Sequence, residues 1–416
     1  MEYGLIGEHL PHSYSCEIHR NIGHYQYEIL ELPPQELSAF FARKAFKGIN
    51  VTIPYKQAVI PFLDEISQEA REIGAVNTIV NRNGRLCGYN TDFSGMIALL
   101  QYAGISVKDK KALILGTGGT SKTAAAVVSS LGGQSVTFAS RKKAANTVTY
   151  EEAKAHCCDV QIIINTTPVG MYPHTEESPI DISCFPKLES LVDAIYNPLR
   201  TKLVLAGQKR GIPATGGLYM LAAQAVYASA LFFGNTVNEN GIEDVFKRVK
   251  SEKENIVLIG MPSCGKSSVG KRLALQMNKT FLDTDEEITK KIGMSISDFF
   301  ACKGESAFRA LEKETIAKIC ASGNRQGGMV IATGGGAILS EENVENLKAN
   351  STLIFLERSP ERLVATSDRP LSSNTAALMA LYHQRLPLYR NAADLCIDGN
   401  DTIERTAQRI LEVLTR

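Results

Sequence analysis

Short apolar runs alternate with longer stretches of helical period along almost the whole chain. The clearest runs are Ala112–Leu115, Ser135–Ala139, Gln161–Asn165, Leu191–Ile195, Ile256–Ile259, Met329–Ala332 and Thr352–Leu356. Each is bounded by glycine or polar residues, which predicts buried strands with helices between them. Strand and helix in strict alternation predict α/β architecture with parallel sheets. The rhythm breaks at Phe246–Asn255 (FKRVKSEKEN), a charged stretch without apolar period, directly before a new strand. The main domain boundary is expected there, with a linker at 247–254. A softer boundary is expected near Gly104–Lys110. No internal repeat is visible.

Length and charge narrow the picture. A chain of 416 residues suggests two or three domains. A formal net charge of +1 gives no long-range field for nucleic acid or a membrane surface. No apolar run follows a basic segment at the start, so no signal peptide is expected. The longest apolar stretch, Leu221–Phe233, contains Gln224 and is too short to span a bilayer. A cytoplasmic location follows as an expectation. The nine cysteines are scattered without a C-x-x-C pair, as for reduced thiols. Cys264 stands apart, because a loop rich in backbone N–H groups at a helix N-terminus should favour its thiolate.

The first candidate site is the turn ILGTGGTSKTAAA, Ile114–Ala126. Strand Lys111–Leu115 leads into Gly116-Thr117-Gly118-Gly119-Thr120-Ser121, and a helix is expected over Lys122–Leu131. Glycines let backbone approach a pyrophosphate seated on the helix N-terminus. Ser121 stands where the dinucleotide fingerprint has its third glycine, so a plain strand–turn–helix remains an alternative. The next strand ends in Ser140-Arg141-Lys142-Lys143, a hydroxyl and three cations with no acid nearby in sequence. That set suits a 2′-phosphate and favours NADP over NAD; a solvated basic turn is the alternative.

Polar side chains interrupt apolar strands in the first hundred residues, in GLIGEHLPHSYSCEIH (Gly4–His19), GINVTIPYK (Gly48–Lys56), AVNTIV (Ala75–Val80) and GYNTDFSG (Gly88–Gly95). Such a set suits a polyhydroxylated small molecule. Lys56 and Asp92 are the pair suited to moving a proton, with the lysine donating to a carbonyl oxygen as hydride reaches its carbon. Beside a nicotinamide site, these segments suggest a ketone reductase.

With INTTPVGM (Ile164–Met171), DAIYNPLRT (Asp193–Thr201) and GGLYMLAAQA (Gly216–Ala225), residues 1–247 resemble shikimate dehydrogenase in seven ordered motifs. The resemblance implies a substrate-binding α/β domain over 1–103, completed by helices at about 217–247, and a Rossmann-type NADP domain over 104–216. It implies that Ser13, Ser15, Thr52, Asn77 and Gln224 bind shikimate, that Tyr196 lies close to both ligands, and that Lys56 and Asp92 are catalytic. It implies that Gly116, Thr117, Gly118, Gly119, Thr120, Ser140, Arg141, Lys142, Thr166, Gly217 and Met220 line the NADP site. The chain departs from the family at Cys16, usually proline, at Arg20, usually asparagine, and at GTGGT, usually GAGGA. Arg20 leaves open a selectivity shifted toward quinate.

The second candidate site lies in VLIGMPSCGKSSVGKRLA (Val257–Ala274), a G-x-x-x-x-G-K-[ST] loop from Gly260 to Ser267 between a strand and a helix. Backbone N–H groups from Met261 to Ser267 would wrap a β-phosphate, Lys266 would reach β- and γ-oxygens, and Ser267 would ligate Mg²⁺. Asp283 and Asp285 stand at the end of the strand Thr280–Leu282. One can join the Mg²⁺ shell, and the other can take a proton from an acceptor hydroxyl. Gly334-Gly335-Gly336 permits close approach of a substrate to backbone, and Arg309 and Arg385 suit bidentate capture of a carboxylate. Arg369 leads into Ser372–Asn374, a candidate lid.

Residues 254–416 resemble shikimate kinase, which implies a P-loop, nucleoside-monophosphate-kinase-like α/β domain over 255–416. By resemblance, Gly260, Ser263, Cys264, Gly265, Lys266, Ser267, Ser268 and Arg369 bind ATP. Asp285, Arg309, Gly334, Gly335, Gly336 and Arg385 bind shikimate, Glu312 orients Arg309, and Ser267 and Asp283 serve the metal. The family usually has glycine at Ser263 and threonine at Ser268. The lid is short and lacks the family's charged residues.

The two resemblances together imply a bifunctional enzyme that reduces 3-dehydroshikimate with NADP(H) and then phosphorylates shikimate with ATP and Mg²⁺. One alternative is a quinate dehydrogenase joined to another small-molecule kinase. Another is a metabolite sensor that binds without turnover, whose signature would be loss of Lys56, Asp92, Lys266 or Asp285; all four are present.

Overall fold

The computed structural model describes residues 1–10, 13–322, 328–363 and 375–415. It divides into two compact units, Met1–Lys250 and Ser251–Arg416. No helix among the described residues is long and apolar enough to cross a membrane.

The first unit contains two sheets. One consists of β1 (Tyr3–Gly7), β2 (Glu28–Glu31), β3 (Gly48–Val51), β4 (Glu65–Ile66), β5 (Thr78–Arg82) and β6 (Arg85–Tyr89), in the order β2-β1-β3-β5-β6-β4. It is mixed: β1 runs parallel to β2 and β3, and β5 runs antiparallel to β3 and β6. The other consists of β7 (Lys111–Leu115), β8 (Ser135–Ser140), β9 (Thr147–Thr149), β10 (Ile162–Asn165), β11 (Ser190–Asp193) and β12 (Ala214–Thr215), in the order β12-β11-β10-β7-β8-β9. All its pairs are parallel. Its central strands are buried on both faces, which is why they read as unbroken apolar runs. The chain leaves β7 toward β8 and leaves β10 toward β11, in opposite directions. A crevice therefore opens between their carboxyl ends, where ligands bind in such sheets.

The helix Gly119–Ser130 begins three residues earlier than the sequence suggests. Ser121 therefore lies in its first turn, buried, with Oγ donating to the Gly118 carbonyl at 2.6 Å. A small, internally bonded serine fits the tight helix–strand contact where a third glycine was expected. In the first helix, Ser15–Ile22, His19 is buried and stacked on Tyr27 with centroids 3.7 Å apart. Burial pushes its imidazole down to about 3, so it packs as a neutral ring.

The stretch expected as a linker is helical. Glu239–Lys253 is one helix, and Ile242, Val245 and Val249 are buried along it. Their spacing is a true helical stripe, hidden in the sequence because the positions between them are charged.

The second unit holds a parallel sheet of β13 (Asn255–Ile259), β14 (Thr280–Asp283), β15 (Met329–Ala332), β16 (Ser351–Glu357) and β17 (Leu395–Asp398), in the order β14-β15-β13-β16-β17. Its core joins β13, β15 and β16 to Leu273, Ile316, Tyr389 and Ile410 from the surrounding helices. The chain leaves β13 toward β14 and β16 toward β17, so this sheet's crevice lies between the carboxyl ends of β13 and β16.

Candidate active sites

In the first unit, Lys56 follows β3 and Asp92 lies in the first turn of the helix Thr91–Tyr102. Lys56 Nζ donates to Asp92 Oδ2 at 2.5 Å, with the two side chains 16% and 11% exposed. A shared network fixes the start of that helix. Asn90 caps it by accepting from Phe93 N. Asn77 Oδ1 accepts from Thr91 N at 2.7 Å and from the hydroxyls of Thr78 and Thr91. Asn50 Nδ2 donates to Thr78 Oγ1 and to the Asn77 carbonyl, and Tyr27 donates to Asn50 Oδ1. Asn50 stood out in sequence as a polar residue of GINVTIPYK; Tyr27, Thr78 and Thr91 were not singled out. For Asn50 and Thr78 the signal was a polar residue in a buried strand; Tyr27 and Thr91 lie outside the strands and carried none.

The other residues taken from the resemblance fall as follows. Ser13 Oγ donates to Ser15 Oγ at 2.9 Å, and Tyr14 packs on Tyr196 with centroids 5.2 Å apart. Thr52 donates its N–H to Ile6 O beside β1. Gln224 and Met220 are buried on the helix Leu218–Phe233, one turn apart, and a Cβ on Gly95 would meet Met220 O at 2.8 Å. Lys56 reaches the dinucleotide turn: its Cδ lies 3.7 Å from where a Cβ on Gly119 would stand.

At the crevice of the NADP-type sheet, Gly116 has φ 110, and a Cβ there would strike Thr166 Oγ1 at 2.8 Å. Only glycine allows this turn. Thr166 Oγ1 itself donates to Leu115 O. Thr117 and Gly118 are exposed, and Gly119 and Thr120 are half-buried at the helix N-terminus. Gly217 caps the helix Leu218–Phe233 and packs on the Ala194 carbonyl. Behind these turns lies a network unforeseen in sequence. Asp193 accepts from Asn165 Nδ2 at 3.0 Å, Thr201 Oγ1 at 2.7 Å and Ile195 N at 3.0 Å. Burial pushes its carboxyl up to about 7 against the pull of those three bonds.

The basic turn after β8 is corrected in one respect. An acid is nearby: Glu152, in the capping box of the helix Tyr150–His156, pairs with Lys143 at 2.6 Å. Arg141 and Lys142 remain exposed and without an acidic partner among the described residues, and Ser140 Oγ bonds the Lys142 carbonyl. Cys16 and Arg20 line a separate cavity with Tyr25, Gln26, Tyr27 and Glu28, away from Ser13 and Ser15.

In the second unit, a cavity of about 610 Å³ is lined by Ser263, Gly265, Lys266, Ser267, Ser268, Asp283, Asp285, Arg309, Glu312, Gly334, Gly335, Gly336 and Arg385. Lys266 folds back on its own loop, with Nζ donating to Gly260 O at 3.0 Å and Met261 O at 2.9 Å. Ser267 Oγ donates to Asp283 Oδ2 at 2.5 Å, and Asp283 Oδ1 caps the next helix by accepting from Asp285 N at 3.0 Å. Hard oxygen ligands beside a phosphate loop fit Mg²⁺. Asp285 Oδ1 lies 2.6 Å from the Cβ position of Gly334, and Arg309 lies across Gly336.

Arg309 sits past a kink at Gly304 in the helix Ile296–Ser322. Its Nη1 donates to buried Glu312 at 2.7 Å, and Nη2 meets Glu305 at 3.2 Å. Glu305 was missed in sequence, although its i, i+4 spacing from Arg309 marked it. Burial raises the Glu312 carboxyl, and Arg309 pulls it back down. Arg385 is buried and donates to Gly335 O at 2.9 Å, leaving Nε unspent. Phe300 and Phe308 also line the cavity.

One expectation changes here. Cys264 is buried in the core, its Sγ 3.8 Å from Lys266 Nζ, so its thiol is not presented to solvent. Arg369 and the lid segment Ser372–Asn374 lie outside the described residues.

The two crevices define a chain with a nicotinamide-dinucleotide reductase site followed by a P-loop small-molecule kinase site. Residues 5–79 match the family model "Shikimate dehydrogenase substrate binding domain", and residues 262–415 match "Shikimate kinase". A shikimate dehydrogenase (NADP(+)) of Clostridium beijerinckii is 37% identical over 247 residues, covering 55% of this chain and 91% of that protein. The crystal structure of shikimate dehydrogenase 1 from Peptoclostridium difficile superposes with a TM-score of 0.56 at 36% identity, over 60% of this chain and 98% of that one. The Thermus thermophilus shikimate 5-dehydrogenase in complex with NADP(H) and shikimate gives a TM-score of 0.54 at 30% identity, over 60% and 99%. The chain belongs to the shikimate dehydrogenase family and carries a shikimate kinase domain behind it, making it a bifunctional shikimate-pathway enzyme.

Proposed function

We propose that the first unit reduces 3-dehydroshikimate to shikimate with NADPH, Lys56 and Asp92 serving the carbonyl oxygen, and that the second unit converts shikimate to shikimate 3-phosphate. The observation that carries the reading is the Lys56–Asp92 pair, held within reach of the dinucleotide turn at Gly119. NADPH supplies the hydride. Lys56 hydrogen-bonds the substrate's carbonyl oxygen and gives it a proton as charge develops, while Asp92 holds the lysine in place. Ser13, Ser15, Thr52, Asn77, Tyr196 and Gln224 bind the ring's hydroxyls and carboxylate. Arg141 and Lys142 bind the 2′-phosphate of the cofactor, with Ser140 beside them.

In the kinase unit, Lys266 and the loop's N–H groups hold the triphosphate, and Ser267 with Asp283 would hold Mg²⁺. The metal supplies charge neutralisation at the transferred phosphoryl group. Arg309 and Arg385 bind the carboxylate of shikimate, and Asp285 takes the proton from its 3-hydroxyl. For Arg309 to do so, the exposed Glu305 must yield its place while buried Glu312 keeps its own.

Small-molecule substrates with no nucleic-acid or membrane partner, supported by the net charge of +1, and a cytoplasmic location, supported by nine cysteines without a C-x-x-C pair, complete the reading. The test supplies the chain with 3-dehydroshikimate, NADPH and MgATP. NADPH should be consumed and shikimate 3-phosphate should appear after a lag. Oxidation of NADPH with no phosphorylated product would overturn the second half of the proposal.

A further inference from the structure

Arg358 was not singled out in sequence and belongs to no motif above. It is the first residue after β16, the strand that pairs with β13, in register from Asn255–Ser351 to Ile259–Phe355. The ends of these two strands bound the crevice from which the phosphate loop springs. Arg358 Nη1 approaches that loop at Gly265, 3.6 Å from where a Cβ on Gly265 would stand. Its surroundings are fixed. Ser359 N donates to Asn400 Oδ1 at 2.9 Å, Arg362 N to Ser359 O at 2.9 Å, and Arg362 bonds the Asn400 carbonyl.

The guanidinium is left over. Its neighbour Glu357 pairs with Arg390 at 2.6 Å. Arg358 has no acidic partner among the described residues, and its Nε is buried without a hydrogen bond. A half-buried guanidinium without an anion is unfavourable unless an anion comes to it. Of the other cations at this site, Arg309 is held by Glu305 and Glu312, and Arg385 is held under Gly335. Lys266 is held by the loop's own carbonyls at Gly260 and Met261, and Arg358 approaches the loop at Gly265.

We propose that Arg358 is a further nucleotide-binding residue of the kinase site, a second cation for the phosphate chain of ATP, reaching it from the β16 side while Lys266 reaches it from within the loop. The proposal rests on the reading of Gly260–Ser267 as the ATP site. Removing one charge-assisted contact of this kind weakens binding on the order of tenfold. Arg358→Gln and Arg358→Lys in the full chain test it, with KM for MgATP and for shikimate, NADPH oxidation and melting temperature read for each. The expected result is a KM for MgATP about tenfold higher in Arg358→Gln and largely restored in Arg358→Lys, with the KM for shikimate and the reductase rate unchanged. An unchanged KM for MgATP overturns the proposal. So does a parallel rise in both KM values with a lower melting temperature, which marks a structural role. Failure of lysine to rescue also overturns it, because that outcome assigns the guanidinium plane to the base. Lys266→Ala is the control: if it too leaves phosphorylation intact, the ATP-site reading itself has failed.

Discussion

Two candidate catalytic lysines, one in each unit, are held in opposite ways. Lys56 is fastened to a carboxylate, Asp92, at 2.5 Å. Lys266 is fastened to two backbone carbonyls of its own loop and to no acid. A lysine paired with a carboxylate is locally neutral as a pair and suited to passing a proton. A lysine held by carbonyl dipoles keeps its full charge for an incoming anion. The glycine turns differ to match. The turn at Gly116–Ser121 contains no cation; on the proposed reading it meets a pyrophosphate with backbone alone, and Arg141 and Lys142 after the next strand supply the charge. The Gly260–Ser267 loop carries its own lysine, as the greater charge of a triphosphate requires. One chain thus separates a hydride-transfer site from a phosphoryl-transfer site by how each cation is partnered.

The largest effects should come from breaking each lysine's role separately. Lys56→Ala should lower NADPH oxidation with 3-dehydroshikimate by about 10²-fold or more and leave phosphorylation intact. Asp285→Asn should do the converse, reducing phosphorylation and sparing reduction. Loss of both activities in either variant, in steady-state assays of each reaction, would refute the separation of the sites. Arg141→Ala should raise the KM for NADPH about tenfold and leave that for 3-dehydroshikimate near its original value; an unchanged KM for NADPH would remove Arg141 from the cofactor site.

A pH dependence sharpens the contrast, because the reductase unit stores a buried acid. Asp193 has its carboxyl raised from 3.8 to about 7, chiefly by burial. An acid raised in the folded state stabilises fully below its unfolded value, and that contribution is lost as pH rises through the folded one. Relative to Asp193→Asn, the wild-type reductase unit should therefore lose stability between about pH 4 and 7. The upper bound is on the order of 4 kcal/mol. Melting temperatures of both proteins at pH 5 and pH 8 check this; a constant gap would refute it. The smallest effect concerns Ser263, whose φ of 63 is a left-handed conformation in the phosphate loop. Ser263→Gly should relieve strain of about 1 kcal/mol, offset in part by the greater freedom of glycine when unfolded. The melting temperature of the kinase unit should rise slightly, and a fall would show that the serine side chain contributes more than its strain costs. Buried Cys264 should react with iodoacetamide more slowly than exposed Cys158, Cys302 and Cys396; equal rates, read by mass spectrometry, would place its thiol at the surface.

Much of the architecture was legible because parallel strands buried on both faces leave unbroken apolar runs. Ile162–Asn165 and Asn255–Ile259 could hardly be anything else. The phosphate loop was legible because glycines, lysine and serine at that spacing serve little but an anion. The helix Glu239–Lys253 was hidden by its charge, since three buried apolar residues in a mostly charged and polar stretch look like a linker until something packs on them.

Sequence alone determined the strands, the two phosphate-binding turns and the residue types available for proton and phosphoryl transfer, because these depend on periodicity and on local spacing. Much of the partnership was decided only by the tertiary structure. It set Glu305 against Arg309 and Glu152 against Lys143, while Arg358 was left without an acidic partner among the described residues beside Gly265. A charge's role depends on what lies within a few ångströms of it. Among residues distant in sequence, that proximity is set by sheet order and by where each strand ends.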